Sequence, residues 1–241
     1  MSCAVHCSHY EYRGIGTGEP IESENLVEFR LLYQGELLSS GNHSAVENKH
    51  AIRKSLHLQL SRLWKTNFGL RQIAAFEGNR ANPGANASED DCVMAGIDAL
   101  GRQQSMHGFN WLPVAMKRIA LRCSLDILLL RPEGDVPVYG RAVSSFVMKR
   151  ADIDGQIKTL LDALQIPPQL QDLPNDSRPD VNETPFFCVL HNDQLISEIR
   201  LSAEPLLLLP NTRQVRSFDA FALIHVKLNH ASPGTFDRYY D

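Results

Sequence analysis

A two-residue repeat of apolar side chains between residues 119 and 130 constrains the fold of this chain most strongly. Every second side chain in that stretch is apolar: Ile119, Leu121, Cys123, Leu125, Ile127 and Leu129. Successive side chains of a strand point to opposite faces, so this period predicts a β-strand with one continuous apolar face. Such a face has to be covered by other elements, which indicates a sheet packed on a core.

Further segments predict the elements around that strand. Alternating or aromatic-rich runs indicate strands at residues 26–38, 185–190, 195–201 and 218–228. Residues 46–66 have the 3.6-residue apolar period of a helix. Strands outnumber helices and do not alternate with them regularly. We therefore expect an α+β fold, with a mixed β-sheet flanked by helices.

Length and composition indicate one compact domain with long loop insertions. The chain has 241 residues, of which 43% are hydrophobic, enough for a sizeable core. We expect a mobile N-terminal arm at residues 1–25, a domain at 26–231 and a tail at 232–241. Residues 77–107 and 167–184 are rich in Asn, Asp, Gly and Pro and predict loops, the first with a short helix at 91–100.

The expected location is the cytoplasm. No secretory leader pattern is visible at the N-terminus and no stretch approaches the length of a membrane span. The five cysteines are an odd, scattered set, which does not suggest a disulfide framework. Cys3, His6, Cys7 and His9 lie close together, but their spacing does not fit a compact zinc finger.

Residues 150–164 carry the main chemical signal. Their apolar residues form one helical face: Ile153, Ile157, Leu160, Leu161 and Leu164. Asp154, Lys158 and Asp162 follow each other at intervals of four beside that face, and Asp152 stands where a helix N-cap is expected. Oxygen ligands next to a lysine suit a divalent cation and a phosphate. A capped helix with a solvated Asp154–Lys158 ion pair is the alternative interpretation.

A strand–turn–strand segment at residues 185–201 supplies a third carboxylate. Asp193 lies in the turn His191-Asn192-Asp193-Gln194, at the rim of the predicted sheet. It could join the two aspartates at the helix start around one metal ion. Asn-Asp pairs are also common in turns that have no function.

In this order the two segments resemble the RusA family of Holliday junction resolvases. The resemblance spans residues 118–229 and is carried by the spacing Asp-x-Asp-x-x-x-Lys-x-x-x-Asp-x-Leu with a downstream strand and aspartate. It implies that Asp152 and Asp154 bind metal, that Lys158 is the catalytic lysine, and that Asp193 completes the site. It also implies that Asp162 has a structural role.

The same resemblance implies an activity and partners. The implied activity is that of a Mg²⁺- or Mn²⁺-dependent endodeoxyribonuclease. The implied partners are four-way junctions or related branched DNA and a second copy of the chain, in a homodimer. The chain departs from the family pattern at Ala151 and Gly155, where proline and asparagine are usual, and at His191 and Asn192, where acids are usual. Losing acids from the turn lowers the charge available to a cation. A catalytically degenerate, junction-binding relative is therefore the alternative.

Charge bears on the choice of partner. The net charge is −4, whereas affinity for DNA comes largely from neutralising phosphates. Basic residues nevertheless concentrate on the predicted helix at 46–66: Lys49, Arg53, Lys54, Arg62 and Lys65. A second group precedes residue 152: Lys117, Arg118, Arg122, Arg141, Lys149 and Arg150. A basic face could bind DNA, or the helix could simply be solvated there.

Overall fold

A computed structural model describes residues 27–81, 87–132, 152–206 and 219–230 of the chain. Within those ranges the fold is α+β, with mixed sheets flanked by helices, as predicted. None of the helices in the same ranges combines the length and hydropathy that crossing a lipid bilayer requires.

The larger sheet has four strands in the order β1-β7-β4-β6. Their bounds are Val27–Glu36 for β1, Leu121–Pro132 for β4, Ile196–Leu206 for β6 and Asp219–His230 for β7. Strand β7 pairs antiparallel with β1 and β4, and β6 runs parallel to β4. The apolar repeat of β4 lies on the covered face from Leu121 to Leu129. All four strands were expected from their period.

A smaller sheet lies beside it. Strand β2 (Ser105–Met106) pairs antiparallel with β3 (Phe109–Ala115), which runs parallel to β5 (Phe186–Leu190). Strand β5 was predicted, whereas β3 was not. Nearly every residue of β3 is buried, so its sequence Phe-Asn-Trp-Leu-Pro-Val-Ala carries no period of two.

Two predicted helices pack on these sheets. Helix α1 (Ala45–Thr66) covers β1 and β5, and helix α4 (Ile153–Leu164) packs against α1. Leu56, Leu60 and Trp64 of α1 are buried in the main core. This packing places α4 near β6, the edge strand of the larger sheet.

The loop predicted at residues 77–107 is largely helical, and the short helix expected at 91–100 is confirmed as part of a longer one. Helices α2 (Phe68–Ala81) and α3 (Glu89–Gln103) occupy most of that range and pack side by side. A Cβ atom at Gly78 would collide with the carbonyl oxygen of Cys92. Gly78 therefore permits close packing of the two helices and does not mark a loop. Ser88 and Asp91 form a capping box at the start of α3, a signal that was visible in the sequence.

An aromatic cluster closes the space between α1 and the smaller sheet. Phe109, Trp111 and Phe186 pack with ring centroids 4.9 to 5.8 Å apart. His50 of α1 stacks on Phe186 with the centroids 6.0 Å apart. His57 accepts a hydrogen bond at Nδ1 from the backbone N–H of Phe187, at 3.0 Å. That acceptor role requires an unprotonated Nδ1, so His57 belongs to the core as a neutral ring, and His50 is buried beside it.

The neutral histidines predict a stability that depends on pH. Burial, with Arg53 and Lys54 nearby, lowers the pKa of His50 to about 4, and burial also lowers the pKa of His57. The unfolded chain takes up these protons near pH 6.5 but the folded chain resists them. The histidine contribution is therefore complete above pH 6.5 and is lost as the pH falls towards 4, for His50 by up to about 3 kcal/mol.

Urea unfolding between pH 7.5 and 4.5 measures this effect. His50→Leu should reduce the loss of unfolding free energy that accompanies the drop in pH. His43→Leu, at an exposed position, should leave that loss unchanged. Identical pH slopes for the wild type and His50→Leu would contradict the assignment.

Candidate functional site

An open groove of about 900 Å³ separates α4 from the start of β6. One wall is the outer face of α4 and the other is the turn before β6 together with the first residues of that strand. Its lining residues are Asp154, Ile157, Lys158, Leu161, Asp162, Gln165, Asp193, Gln194, Ile196, Ser197, Glu198 and Ile199. The floor is therefore apolar and the polar residues come from both walls.

Three of the four predicted site residues share this groove. Asp154 and Lys158 enter it from α4, and Asp193 enters from the opposite wall, in a 3₁₀ turn at Asp193–Leu195. Asp152 is not among the lining residues. It is the N-cap of α4, and its carboxylate accepts a hydrogen bond from the backbone N–H of Asp154 at 3.3 Å. Its predicted capping role is confirmed, and its metal-binding role stays a prediction.

The chain around Ser39 fixes the N-terminal end of α4. The backbone N–H of Ser40 donates to the carbonyl of Gly155 at 3.0 Å, and the Gln156 amide donates to the carbonyl of Leu37 at 2.7 Å. A Cβ atom on Gly155 would collide with the side chain of Ser39. Glycine at this position therefore permits the close approach of the two segments.

Two cations of α1 hold the other end of α4. The guanidinium of Arg53, 2% exposed, donates to the carbonyls of Asp162 at 2.9 Å and Asp172 at 3.2 Å. The ammonium of Lys49 lies 2.7 Å from the Asp162 carboxylate. Burial lowers the pKa of Arg53 to about 10, which leaves it charged at neutral pH. Asp162 thus anchors the helix, in agreement with the structural role expected for it.

Gln165 connects the two walls of the groove. It follows the last residue of α4, and its side-chain oxygen accepts a hydrogen bond from the backbone N–H of Asp193 at 3.0 Å. The next backbone N–H, of Ile166, donates to the carbonyl of Leu190 at 3.1 Å. The position of Asp193 relative to α4 is therefore set by direct hydrogen bonds rather than by a free loop.

Some charged side chains of the groove form ion pairs and others do not. Asp162 is paired with Lys49, and Glu198 is paired with Arg200 at 2.8 Å. Asp154, Lys158 and Asp193 are exposed and form no ion pair with any residue in the described ranges. The predicted Asp154–Lys158 surface pair is thus not formed. Both side chains are available to a ligand.

The chemistry of the groove suits a hard cation. Its available donors are carboxylate, amide and hydroxyl oxygens, with no sulfur or imidazole among the lining residues. Within the described part of the chain, however, no three His, Cys, Asp or Glu side chains lie close enough together to hold one metal ion. The shared ligation by Asp152, Asp154 and Asp193 stays a prediction.

His191 takes no part in lining the groove. Its backbone N–H donates to the carbonyl of Ala115 at 3.0 Å, and its ring is half-buried. Burial, and then the charge of Lys117, lower the pKa of the ring. His191 is therefore neutral at neutral pH, and its backbone bond to Ala115 holds the turn against β3.

Four lining residues were missed by sequence reasoning: Gln165, Gln194, Ser197 and Glu198. Gln165 follows Asp154, Lys158 and Leu161 on one helical face, so the period of α4 could have identified it. The other three became visible only when the turn and β6 were placed beside the helix.

Three of the five basic residues of α1 do not contribute to a free basic surface, whereas Arg62 and Lys65 are exposed. Arg53 is buried and Lys49 pairs with Asp162. Lys54 pairs with Asp180 at 2.8 Å and Glu183 at 3.2 Å. These cations bind the protein itself.

Several predicted sites lie outside the described residues. They are the group Cys3, His6, Cys7 and His9, the basic residues Arg141, Lys149 and Arg150, and Ala151.

No protein-family model matches this chain, and no curated protein or solved structure is significantly similar to it. The resemblance to the RusA family therefore rests on the residues quoted above.

The contact between Gly155 and Ser39 gives a prediction for α4. Alanine usually stabilises a helix by about 1 kcal/mol over glycine. Here Gly155→Ala should destabilise the protein by about 1–3 kcal/mol, because the new methyl group overfills the contact. Gly155→Ala combined with Ser39→Gly should recover most of the loss.

Thermal and urea unfolding measure both changes. Gly41→Ala is the matched control, since a Cβ atom there meets no atom within 4 Å. A Gly155→Ala protein as stable as the wild type would contradict this account of how α4 is seated.

Proposed function

We propose that the protein is a divalent-metal-dependent nuclease that hydrolyses phosphodiester bonds in branched DNA, with four-way junctions as the expected substrate. The observation that carries the proposal is the meeting of Asp154, Lys158 and Asp193 in one groove. Asp154 and Lys158 come from α4, and Asp193 comes from a turn that is distant in sequence. None of the three forms an ion pair with another described residue. The choice of substrate comes from the family resemblance.

The proposed roles follow from the charge of each group. Asp154 and Asp193, with Asp152 at the helix start, would hold one or two Mg²⁺ or Mn²⁺ ions. Such an ion, when bound, supplies Lewis-acid activation of water and of the phosphate. Lys158 places a compact ammonium in the same groove, where it neutralises the charge that develops on the phosphate oxygens or the leaving group. Gln165 keeps the Asp193 turn in register with the helix.

A homodimer belongs to the proposal, because resolving a four-way junction requires two symmetric nicks. A two-fold pair of subunits supplies two equivalent sites.

A junction-binding protein without nuclease activity is the second candidate. The absence of a three-ligand group among the described residues favours it, as does the thinned acidic turn at His191 and Asn192. Incubating the protein with an end-labelled four-way junction and Mg²⁺ separates the two candidates. Paired symmetric nicks support the nuclease, whereas a retained but uncut junction supports the binding protein.

The first prediction for the proposed site concerns Asp154. Asp154→Asn should abolish junction cleavage, because the amide is a poor metal ligand, while DNA binding stays intact or improves as one repulsive charge is lost. Gel-shift titration and single-turnover cleavage measure the two effects. Cleavage at the wild-type rate would remove Asp154 from the site.

The second prediction concerns Lys158. A surface i, i+4 pair contributes only about 0.3–0.5 kcal/mol, and here even that pair is not formed, so Lys158→Ala should not change the melting temperature. The same change should reduce single-turnover cleavage at saturating Mg²⁺ by about a hundredfold. Lys158→Arg should restore only part of the rate, since a planar guanidinium does not replace a compact ammonium.

The matched control is Lys65→Ala, which removes an exposed ammonium from the last turn of α1. It should leave the cleavage rate unchanged. If Lys158→Ala cuts as fast as the wild type, Lys158 has no part in the reaction and the binding-only candidate gains weight.

A further inference from the structure

The two edge strands of the larger sheet, β1 and β6, differ in what covers their outer backbone groups. At the β1 edge, the Gln59 side chain of α1 accepts a hydrogen bond from the Leu32 N–H at 3.0 Å and donates to the Leu32 carbonyl at 2.7 Å. A side-chain amide thus occupies the place of a neighbouring strand. At the other edge, no strand in the described ranges lies on the outer side of β6.

Strand β6 is also uncovered on both faces. It is eleven residues long, and every residue from 197 to 205 is exposed. Ile199 and Leu201 are 44% and 36% exposed. They lie opposite Leu125 and Ile127 of β4, on the face where the rest of the sheet is buried. Long open edges with apolar side chains readily pair with another strand.

The sequence of β6 favours one antiparallel self-pairing register over its neighbours. We propose that a second copy of this chain pairs with β6 along its outer edge, with Ile199 of the two copies facing each other on the two-fold axis. Glu198 then lies directly opposite Arg200 of the partner subunit, and Arg200 lies opposite the partner's Glu198. With the bridge already present between Glu198 and Arg200, at 2.8 Å, the four charges alternate around a square.

Neighbouring registers lose this complementarity. Facing residues of a two-fold pair share one face of the sheet, so the axis has to pass through a residue. Centring on Arg200 would place that arginine opposite its own copy. Centring on Leu201 would place Glu198 opposite the partner's Glu204. Like charges directly opposite each other destabilise a strand pair. Centring on Ser202 would face Arg200 with the partner's Glu204, but it would also bring Pro205 into the paired segment, where a residue with no N–H weakens the ladder. Ile199 is therefore the favoured centre.

The apolar face supports the same arrangement. In this register Ser197 lies opposite the partner's Leu201, beside Ile199 on the face that borders the groove. The groove floor already contains Ile157 and Leu161 of α4. Ile199 and Leu201 of the partner subunit add apolar side chains on this face and extend that floor.

This inference names the surface for the second copy that the proposed function requires, but it rests on the strand edge alone. Its test uses neither DNA nor metal. A protein that dimerises through β6 without cutting DNA would refute the nuclease and leave the dimer standing, and the converse result would do the reverse.

Sedimentation velocity of the full chain across the micromolar range tests the pairing. Arg200→Glu places four acids together and should raise the dissociation constant of the dimer at least about tenfold, as should Glu198→Arg with four bases. The double variant Glu198→Arg/Arg200→Glu restores the alternation and should restore the dimer. Arg30→Glu on β1 makes the same charge change at the edge that Gln59 covers, and should have no effect.

Hydrogen exchange gives a second measurement in the wild type, where folding is not in question. The amides of β6 should become more protected as the protein concentration rises, while those of β1 stay constant. A monomer at all concentrations, as expected if another segment or protein covers β6, would overturn the proposal. A dimer that tolerates either single reversal, or that the double variant fails to restore, would overturn it as well.

Discussion

The buried guanidinium of Arg53 is the contact on which the rest of the arrangement depends. Removing a charge from water is costly, and here the cost is offset by the carbonyls of Asp162 and Asp172. The Asp162 carbonyl lies in the last turn of α4, where the helix dipole is negative and favours a cation. Lys49, one turn earlier on α1, holds the carboxylate of the same residue. One helix thereby fixes the position of the other, and with it the wall that carries Asp154 and Lys158.

The groove is a consequence of that placement. Because α4 is held against α1 and β5, its outer face does not close over the start of β6, and Ile157, Leu161 and Ile199 remain accessible. The opposite wall is then tied to the same helix by the bond from the Asp193 N–H to Gln165. The candidate site therefore lies on rigid elements on one side and on a hydrogen-bonded turn on the other, which favours a defined geometry for any ligand.

Periodicity predicted the parts of this fold that have one buried face and one solvated face. Strands β1, β4 and β7 and helices α1 and α4 satisfy that condition, whereas β6 was predicted from its alternation although both of its faces are exposed. Strand β3, buried almost throughout, does not, and α2 was hidden because Gly78 resembles a loop signal until a packing partner is known. The same limit applies to the site. The helix period placed Asp154 and Lys158 together, but their meeting with Asp193, and the reason for Gly155, depend on contacts between distant segments.

Charge pairing within the protein decides what the groove can bind. Three of the five basic residues of α1 that suggested a DNA-binding face, Lys49, Arg53 and Lys54, bind Asp162, Asp180, Glu183 and two backbone carbonyls. In the groove, Asp162 and Glu198 are neutralised by their partners, which leaves Asp154 and Asp193 against the single ammonium of Lys158. A phosphate would meet an excess of negative charge there unless a cation entered first. Under the proposed function, the affinity of this groove for DNA would therefore depend on a bound divalent ion, and a protein that bound DNA without metal would have to use another surface.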